Sequence, residues 1–363
     1  MKELKSIMQY EDMLNHFQYF EQWIGLNNID IPQDVCLIYY NNLRELSQSE
    51  LLKRCSLKLK NGEFRKIILF AVDMDWVAKQ EDVDIITNNL NDIFAENIDK
   101  LVLTLCSKSW IRDWKNIKTI ENFGCLSMVI DRNIQFGKNF NLLNTDREKH
   151  FITTNNEPRP MRIYLYDYLI KNNLLDKFEY SFFAAQQKDY ITWEDRVGGE
   201  DGFEKIDGLF PKKTFDNEII NDKNYDVQVV NMKYELNSYF SLLMETNYMN
   251  GGTYYGFSEK SFKGFATKKP FMLWASPSAP KGLTQMGFKL YDKIFDVNCW
   301  SDKSHNMRMG RFFDDLKRIC DLPINQIKNM YIDSIDTIEH NYNNLNRLIE
   351  KEKKDFINLI IKK

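Results

Sequence analysis

The sequence predicts an α/β fold: two Rossmann-like units followed by a long C-terminal helix. Short apolar runs without polar alternation recur along the chain, the pattern of strands buried on both faces of a parallel sheet. Amphipathic stretches with helical spacing separate these runs. The 363 residues are long for one domain and sufficient for two.

In the first half the runs are residues 35–40 (VCLIYY), 67–72 (IILFAV), 101–106 (LVLTLC) and 126–130 (LSMVI). Residues 47–60 and 82–97 between them read as helices. In the second of these, Val83, Ile86, Leu90 and Ile93 recur at three- and four-residue spacing. Residues 155–183 read turn, helix, strand, because Pro158 and Pro160 break any earlier helix and Ile163, Tyr164, Leu165, Tyr168 and Leu169 follow. A strand is expected around 239–244 and a Gly-rich turn at Gly251 and Gly252. A helix over 258–267 follows, with Ser258 as N-cap, then a strand at Phe271–Trp274. After a loop at 277–280, a helix is expected from 281, and an apolar return at 288–294. Polar residues 186–231 read as an irregular insertion. Residues 324–363 form one helical pattern, with Ile335, Ile338, Tyr342, Leu345 and Leu348 on its apolar face and Lys and Glu on a solvated one. The segmentation is therefore 1–150, 151–323 and 324–363.

Composition narrows the function classes. A formal net charge of −3 supplies no global positive field for a polyanion. The longest apolar run, at 67–72, is too short for a membrane span. The N-terminus, MKELKSIMQYEDMLNHF, is charged and amphipathic and lacks the apolar centre of a secretory signal. A cytoplasmic protein is expected. The six cysteines show no CxxC or zinc spacing and read as reduced core thiols. The four histidines are dispersed, so no metal centre is expected.

Two segments carry a resemblance. FSLLMETN at 240–247, followed by YGFSEKSFKGFATKKPFMLW at 255–274, resembles the α-1,3-fucosyltransferase family and the glycosyltransferase-like proteins of large bacteriophages and viruses. NNEPRPMRIYLYDYLIKNNLLDKFEYS at 155–181 is similar to the arginine-bearing element that opens the C-terminal domain of those proteins. Together the segments cover somewhat over a quarter of the chain. The helix has Gly264-Phe265 where the phage pattern has Pro-Ile, and Ala275-Ser276-Pro277 replaces a Gly-rich turn. The resemblance implies a GT-B-like arrangement, with acceptor bound by the N-terminal domain and a GDP-, UDP- or CDP-sugar by the C-terminal one.

That chemistry gives each residue type a task. Negative charge grows on the departing pyrophosphate and must be met by Arg, Lys and helix N-termini. Ser258 and Glu259 would open a helix whose N–H groups favour an anion. Lys260 would add an ammonium, with Lys263 one turn on, and Arg159 or Arg162 a guanidinium. Glu245, Asn247 and Glu259 would complete the donor side, as the resemblance implies. Asp73 and Asp75, after the run at 67–72, are the candidates for the base that takes the acceptor proton. Their spacing also fits a metal-binding aspartate pair, but they directly follow an apolar run and no second metal cue accompanies them. Inverting, metal-independent transfer is the expectation. Trp76, Trp110 and Trp114 are candidates to stack on the acceptor, whereas Phe262, Phe265 and Trp274 read as core. The acceptor is a glycan or another hydroxyl. DNA carrying hydroxymethylated bases is an alternative, because the Asn-, Lys- and Ile-rich composition points to an AT-rich genome such as a phage's. A degenerate transferase fold serving as a non-catalytic binding module is the third reading.

Overall fold

The structure, a computed structural model, describes residues 30–40, 46–71, 80–104, 117–120, 146–155, 160–182, 235–245, 257, 259–302 and 304–361. The protein is a mixed α/β chain whose described strands form two parallel four-stranded sheets. It divides into two compact units, residues 1–135 with 345–363, and residues 136–344.

The first unit holds β1 (Val35–Tyr40), α1 (Glu50–Lys60), β2 (Lys66–Ala71), α2 (Gln80–Phe94), β3 (Leu101–Thr104) and β4 (Lys118–Ile120). Its sheet order is β1-β2-β3-β4, so the described strands follow chain order without a reversal. Ile67, Ile68 and Leu69 of β2 and Leu101, Val102 and Leu103 of β3 are fully buried. Neighbouring strand residues point to opposite faces, so both faces are covered. The Ser49 hydroxyl opens α1 by accepting from the Leu52 N–H at 3.3 Å, and the helix buries Leu52, Cys55 and Leu59. Arg65 donates to both carboxylate oxygens of Asp34, at 2.9 and 3.3 Å, tying the entries to β1 and β2.

The second unit begins with β5 (Lys149–Asn155), α3 (Pro160–Lys171), β6 (Phe178–Phe182), β7 (Ser238–Met244), α4 (Glu259–Ala266) and β8 (Phe271–Trp274). Helices α5 (Ala279–Gln285), α6 (Val297–Trp300), α7 (His305–Cys320), α8 (Ile324–Ile332) and α9 (Ile335–Ile361) follow. The sheet order is β6-β5-β7-β8, all parallel. From β5 the chain winds outward to β6, then returns to place β7 on the other side. A topological switch point therefore lies between β5 and β7. The sheet is covered on both faces. Phe271 packs edge-on against Phe265 of α4 at 4.8 Å, while Trp274 packs against Phe312 of α7 at 5.1 Å. Residues three apart on a strand face opposite ways, so α4 and α7 lie on opposite sides. Tyr164 and Tyr168 of α3 join α7 through Phe313, at 4.9 and 4.7 Å.

Several expectations are sharpened or corrected. The runs at 67–72 and 101–106 end as strands at Ala71 and Thr104, while residues 126–130, 186–231, 251 and 252 lie outside the described residues. Strand β5, the centre of the second sheet, and helix α7 are additions to the predicted elements. The segment 288–294 does not return as a strand. Its backbone is satisfied elsewhere: Asn341 of α9 accepts from the Lys289 N–H and donates to the Lys289 carbonyl, both at 2.8 Å. The single C-terminal pattern is two helices, parted at Asp333 and Ser334. Ile338, Leu345, Ile349 and Phe356 carry the buried stripe of α9, and Glu352 on the expected solvated face is buried. Helix α9 begins in the second unit and ends in the first, where Lys66 donates to the Leu359 carbonyl. The four described cysteines, Cys36, Cys55, Cys299 and Cys320, are free and buried.

Gly264 has a packing reason. A Cβ there would sit 2.3 Å from Cδ1 of Phe271, so its absence lets the ring lie against α4. Gly264→Ala is expected to destabilise the protein by about 1–3 kcal/mol, read from urea unfolding. Gly310→Ala, on α7 with nothing within 4 Å, serves as the contrast and should leave stability unchanged or raise it by up to about 1 kcal/mol.

Candidate functional site

Parallel strands expose the ends of their hydrogen-bond ladders at the carboxyl edge, and a switch point parts two neighbours there. Paired positions along β5 and β6 run to Asn155–Phe182, whereas those along β5 and β7 run only to Ile152–Ser241. Side chains take over beyond that point. The Thr153 hydroxyl donates to the Leu242 carbonyl at 2.9 Å, and Nη2 of Arg162 donates to the Met244 carbonyl at 3.3 Å.

Arg162 stands in the first turn of α3, which begins at Pro160, and is 4% exposed. Proline suits that position because its missing N–H has no helical partner there. Glu245 follows β7 directly and is 2% exposed. Its N–H continues the ladder to the Trp274 carbonyl at 2.8 Å. Its Oε1 accepts from the N–H and hydroxyl of Ser261, at 3.1 and 2.6 Å. Ser261 is in the first turn of α4, so a carboxylate from the neighbouring strand meets one of the helix's N-terminal donors. The expected anion site at that helix end is thus already supplied with a protein carboxylate.

A third charged residue joins the edge from far along the chain. Arg308 of α7 is 2% exposed, donates from Nη1 to the Ala275 carbonyl at 2.9 Å, and lies 4.5 Å over the ring of Trp274. Nothing in the sequence singled it out, since an arginine in an amphipathic helix ordinarily faces water. The carboxyl edge thus gathers Arg162, Arg308 and Glu245, with Lys260 half-buried on the first turn of α4. Guanidiniums and ammoniums are the groups that recognise a phosphate.

The structure does not bring Lys263 to this edge. Lys263 pairs with Glu235 at 3.6 Å, and Glu235 is held by Lys269, which also donates to Ser238 at the start of β7. That places Lys263 with the amino edge. Asp73, Asp75, Arg159, Asn247 and Ser258 lie outside the described residues, as do Trp76, Trp110 and Trp114. Glu259 opens α4, but its side chain is outside the description. Phe262, Phe265 and Trp274 are core, as expected. Among the described residues no group of three or more His, Cys, Asp or Glu is placed to hold a metal ion. No described helix is long and apolar enough to cross a membrane. Comparison of the chain with protein-family models, with curated proteins and with solved structures finds no match.

The amino edge carries its own buried cluster. Lys269 is fully buried and donates to Glu235 at 2.5 Å and to Ser238 at 2.9 Å. Arg147 donates to the Ser238 carbonyl at 2.7 Å and to the Tyr331 hydroxyl at 2.9 Å, its guanidinium 4.3 Å over that ring. Burial pushes the Lys269 ammonium down to about 8, against the pull of Glu235. Burial opposes ionisation of Glu235, but Lys269 and Lys263 together outweigh it and hold the carboxyl below its ordinary range. A lysine depressed in the folded state binds its proton less tightly there than when unfolded. The resulting penalty is complete below about pH 8 and is relieved as pH rises toward the unfolded value of about 10.4. Unfolding free energy measured in urea is therefore expected to gain a positive slope between about pH 8 and about pH 10, absent from Lys269→Met.

Proposed function

We propose that this protein is a glycosyltransferase of GT-B type, moving a sugar from a nucleoside-diphosphate sugar to an acceptor hydroxyl with inversion and without a metal ion. The observation that carries the reading is the pair Arg162 and Glu245. The resemblance points to Glu245 and to the element holding Arg159 and Arg162, and in the fold Arg162 and Glu245 lie at the carboxyl ends of β5 and β7, beside the switch point. Switch points are where open parallel sheets bind nucleotides. Arg162, Arg308 and Lys260 would meet the charge that grows on the leaving pyrophosphate. Asp73 or Asp75, following β2 of the first unit, would take the acceptor proton as general base.

One observation favours a second reading, a binding module without transfer. Glu245 Oε1 and one N–H of Arg162 are engaged by Ser261 and Met244, as in a purely structural edge. Turnover separates the two readings. Thermal unfolding with GDP, UDP or CDP at a hundred times the dissociation constant should show about 2.7 kcal/mol of stabilisation for the matching nucleotide. The matching nucleotide sugar should also be hydrolysed or transferred, and Lys260→Ala should lower kcat on the order of 10²-fold. Binding without any turnover would favour the module. Silence from all three nucleotides would sink both readings. Loss of activity in EDTA with recovery in manganese would overturn the metal-free mechanism. A steep salt dependence of duplex DNA binding would identify DNA as the acceptor.

A further inference from the structure

Asn155 is the last residue of β5 and is 1% exposed. Its neighbours fix which way its amide points. The Thr153 hydroxyl spends its single hydrogen on the Leu242 carbonyl, so its oxygen has only acceptor capacity left for Asn155. The group 3.0 Å from that oxygen must then be the Asn155 amide nitrogen. This leaves Oδ1 of Asn155 buried and without a hydrogen-bond donor. An orphaned buried carbonyl calls for an explanation, and this one lies at the switch point.

The chemistry of the missing partner follows from the atom. An amide oxygen is uncharged and accepts only, so it has nothing to offer a phosphate and requires an O–H or N–H. The nearby cation is Arg162, bonded to Met244 two residues beyond Leu242, a step of about 7 Å along a strand. Asn155, tied through Thr153 to the Leu242 carbonyl, and Arg162, on the Met244 carbonyl, stand at the same strand end, which suits a ligand carrying both a ring hydroxyl and a phosphate. We propose that Oδ1 of Asn155 accepts a hydrogen bond from a sugar-ring hydroxyl of the bound nucleotide sugar, making Asn155 a specificity-determining residue. The proposal rests on the nucleotide-sugar reading above. The hydroxyl belongs either to the ribose or to the transferred sugar, and the experiment separates these sources.

Calorimetric titration with GDP, UDP and CDP identifies the base. The matching nucleotide is then compared with its 2′-deoxy and 3′-deoxy forms, and its nucleotide sugars with their deoxy-sugar counterparts. Removing the bonded hydroxyl should weaken binding to the wild type about tenfold. Asn155→Ala should bind the parent and that deoxy ligand equally, at the weakened level. Asn155→Asp, whose carboxylate still accepts, should keep the discrimination. Discrimination among the free nucleotides places the hydroxyl on ribose, and discrimination only among the nucleotide sugars places it on the transferred sugar. If Asn155→Ala does not fold, the wild-type deoxy series and Asn155→Asp carry the test. Nucleotide binding with no hydroxyl coupled to Asn155 overturns this proposal and leaves the nucleotide reading standing. Absence of any nucleotide binding overturns both.

Discussion

The second unit depends on how the carboxyl end of β7 is finished. A strand beside a switch point loses its ladder partner before its last residues, and each exposed carbonyl must find another donor. Here Thr153 of β5 takes the Leu242 carbonyl and Arg162 of α3 takes that of Met244. Glu245 then turns outward, its N–H still on β8 and its carboxylate on the first turn of α4. One strand end thereby joins β5, α3, β8 and α4. Removing any of these side chains would leave a buried polar group unpaired, which costs more than the bond itself contributes.

The two edges of this sheet manage charge differently. At the amino edge, Glu235 lies between Lys263 and Lys269, and Arg147 is enclosed by Tyr239 and Tyr331 and bonded to the Ser238 carbonyl. These bonds join chain segments to one another and read as architecture. At the carboxyl edge, Arg162 and Arg308 each donate to a backbone carbonyl, at Met244 and Ala275. These carbonyl bonds fix where the two guanidiniums stand. Positioned cations are what a transition state with growing negative charge exploits, because no reorganisation is needed when that charge appears.

Legibility in the sequence followed the cause of each element. β1, β2, β3 and β8 were readable because burial on both faces demands uninterrupted apolar runs. β5, KHFITTN, was not, because its buried threonine, histidine and asparagine look like a polar segment until their partners are known. The apolar return at 288–294 is irregular chain rather than a regular element, and Asn341 of α9 takes up the Lys289 backbone. No local pattern announces such a contact, since the two residues lie 52 positions apart. At the candidate site, the resemblance pointed to Glu245 and to the element holding Arg159 and Arg162, while Lys263, one turn beyond Lys260, lies with the amino-edge cluster through Glu235. Helical spacing fixes the face a residue shares with its neighbours but not what stands opposite. Arg308 needed Trp274 and Ala275 before it could be seen.

The contrast between the two sheets bears on how much of the chemistry each unit can hold. The described strands of the first sheet run in chain order, so no reversal opens a crevice among them. The second sheet reverses at β5 and parts its neighbours where the buried arginine and the orphaned asparagine oxygen lie. A crevice lined with fixed donors and acceptors favours a ligand that is itself rigid and polyfunctional, with charge at one end and hydroxyls at a set distance. A nucleotide sugar meets that description, and a lone inorganic anion meets only half of it. On the reading proposed above, the unit with the switch point is the one that would read the donor.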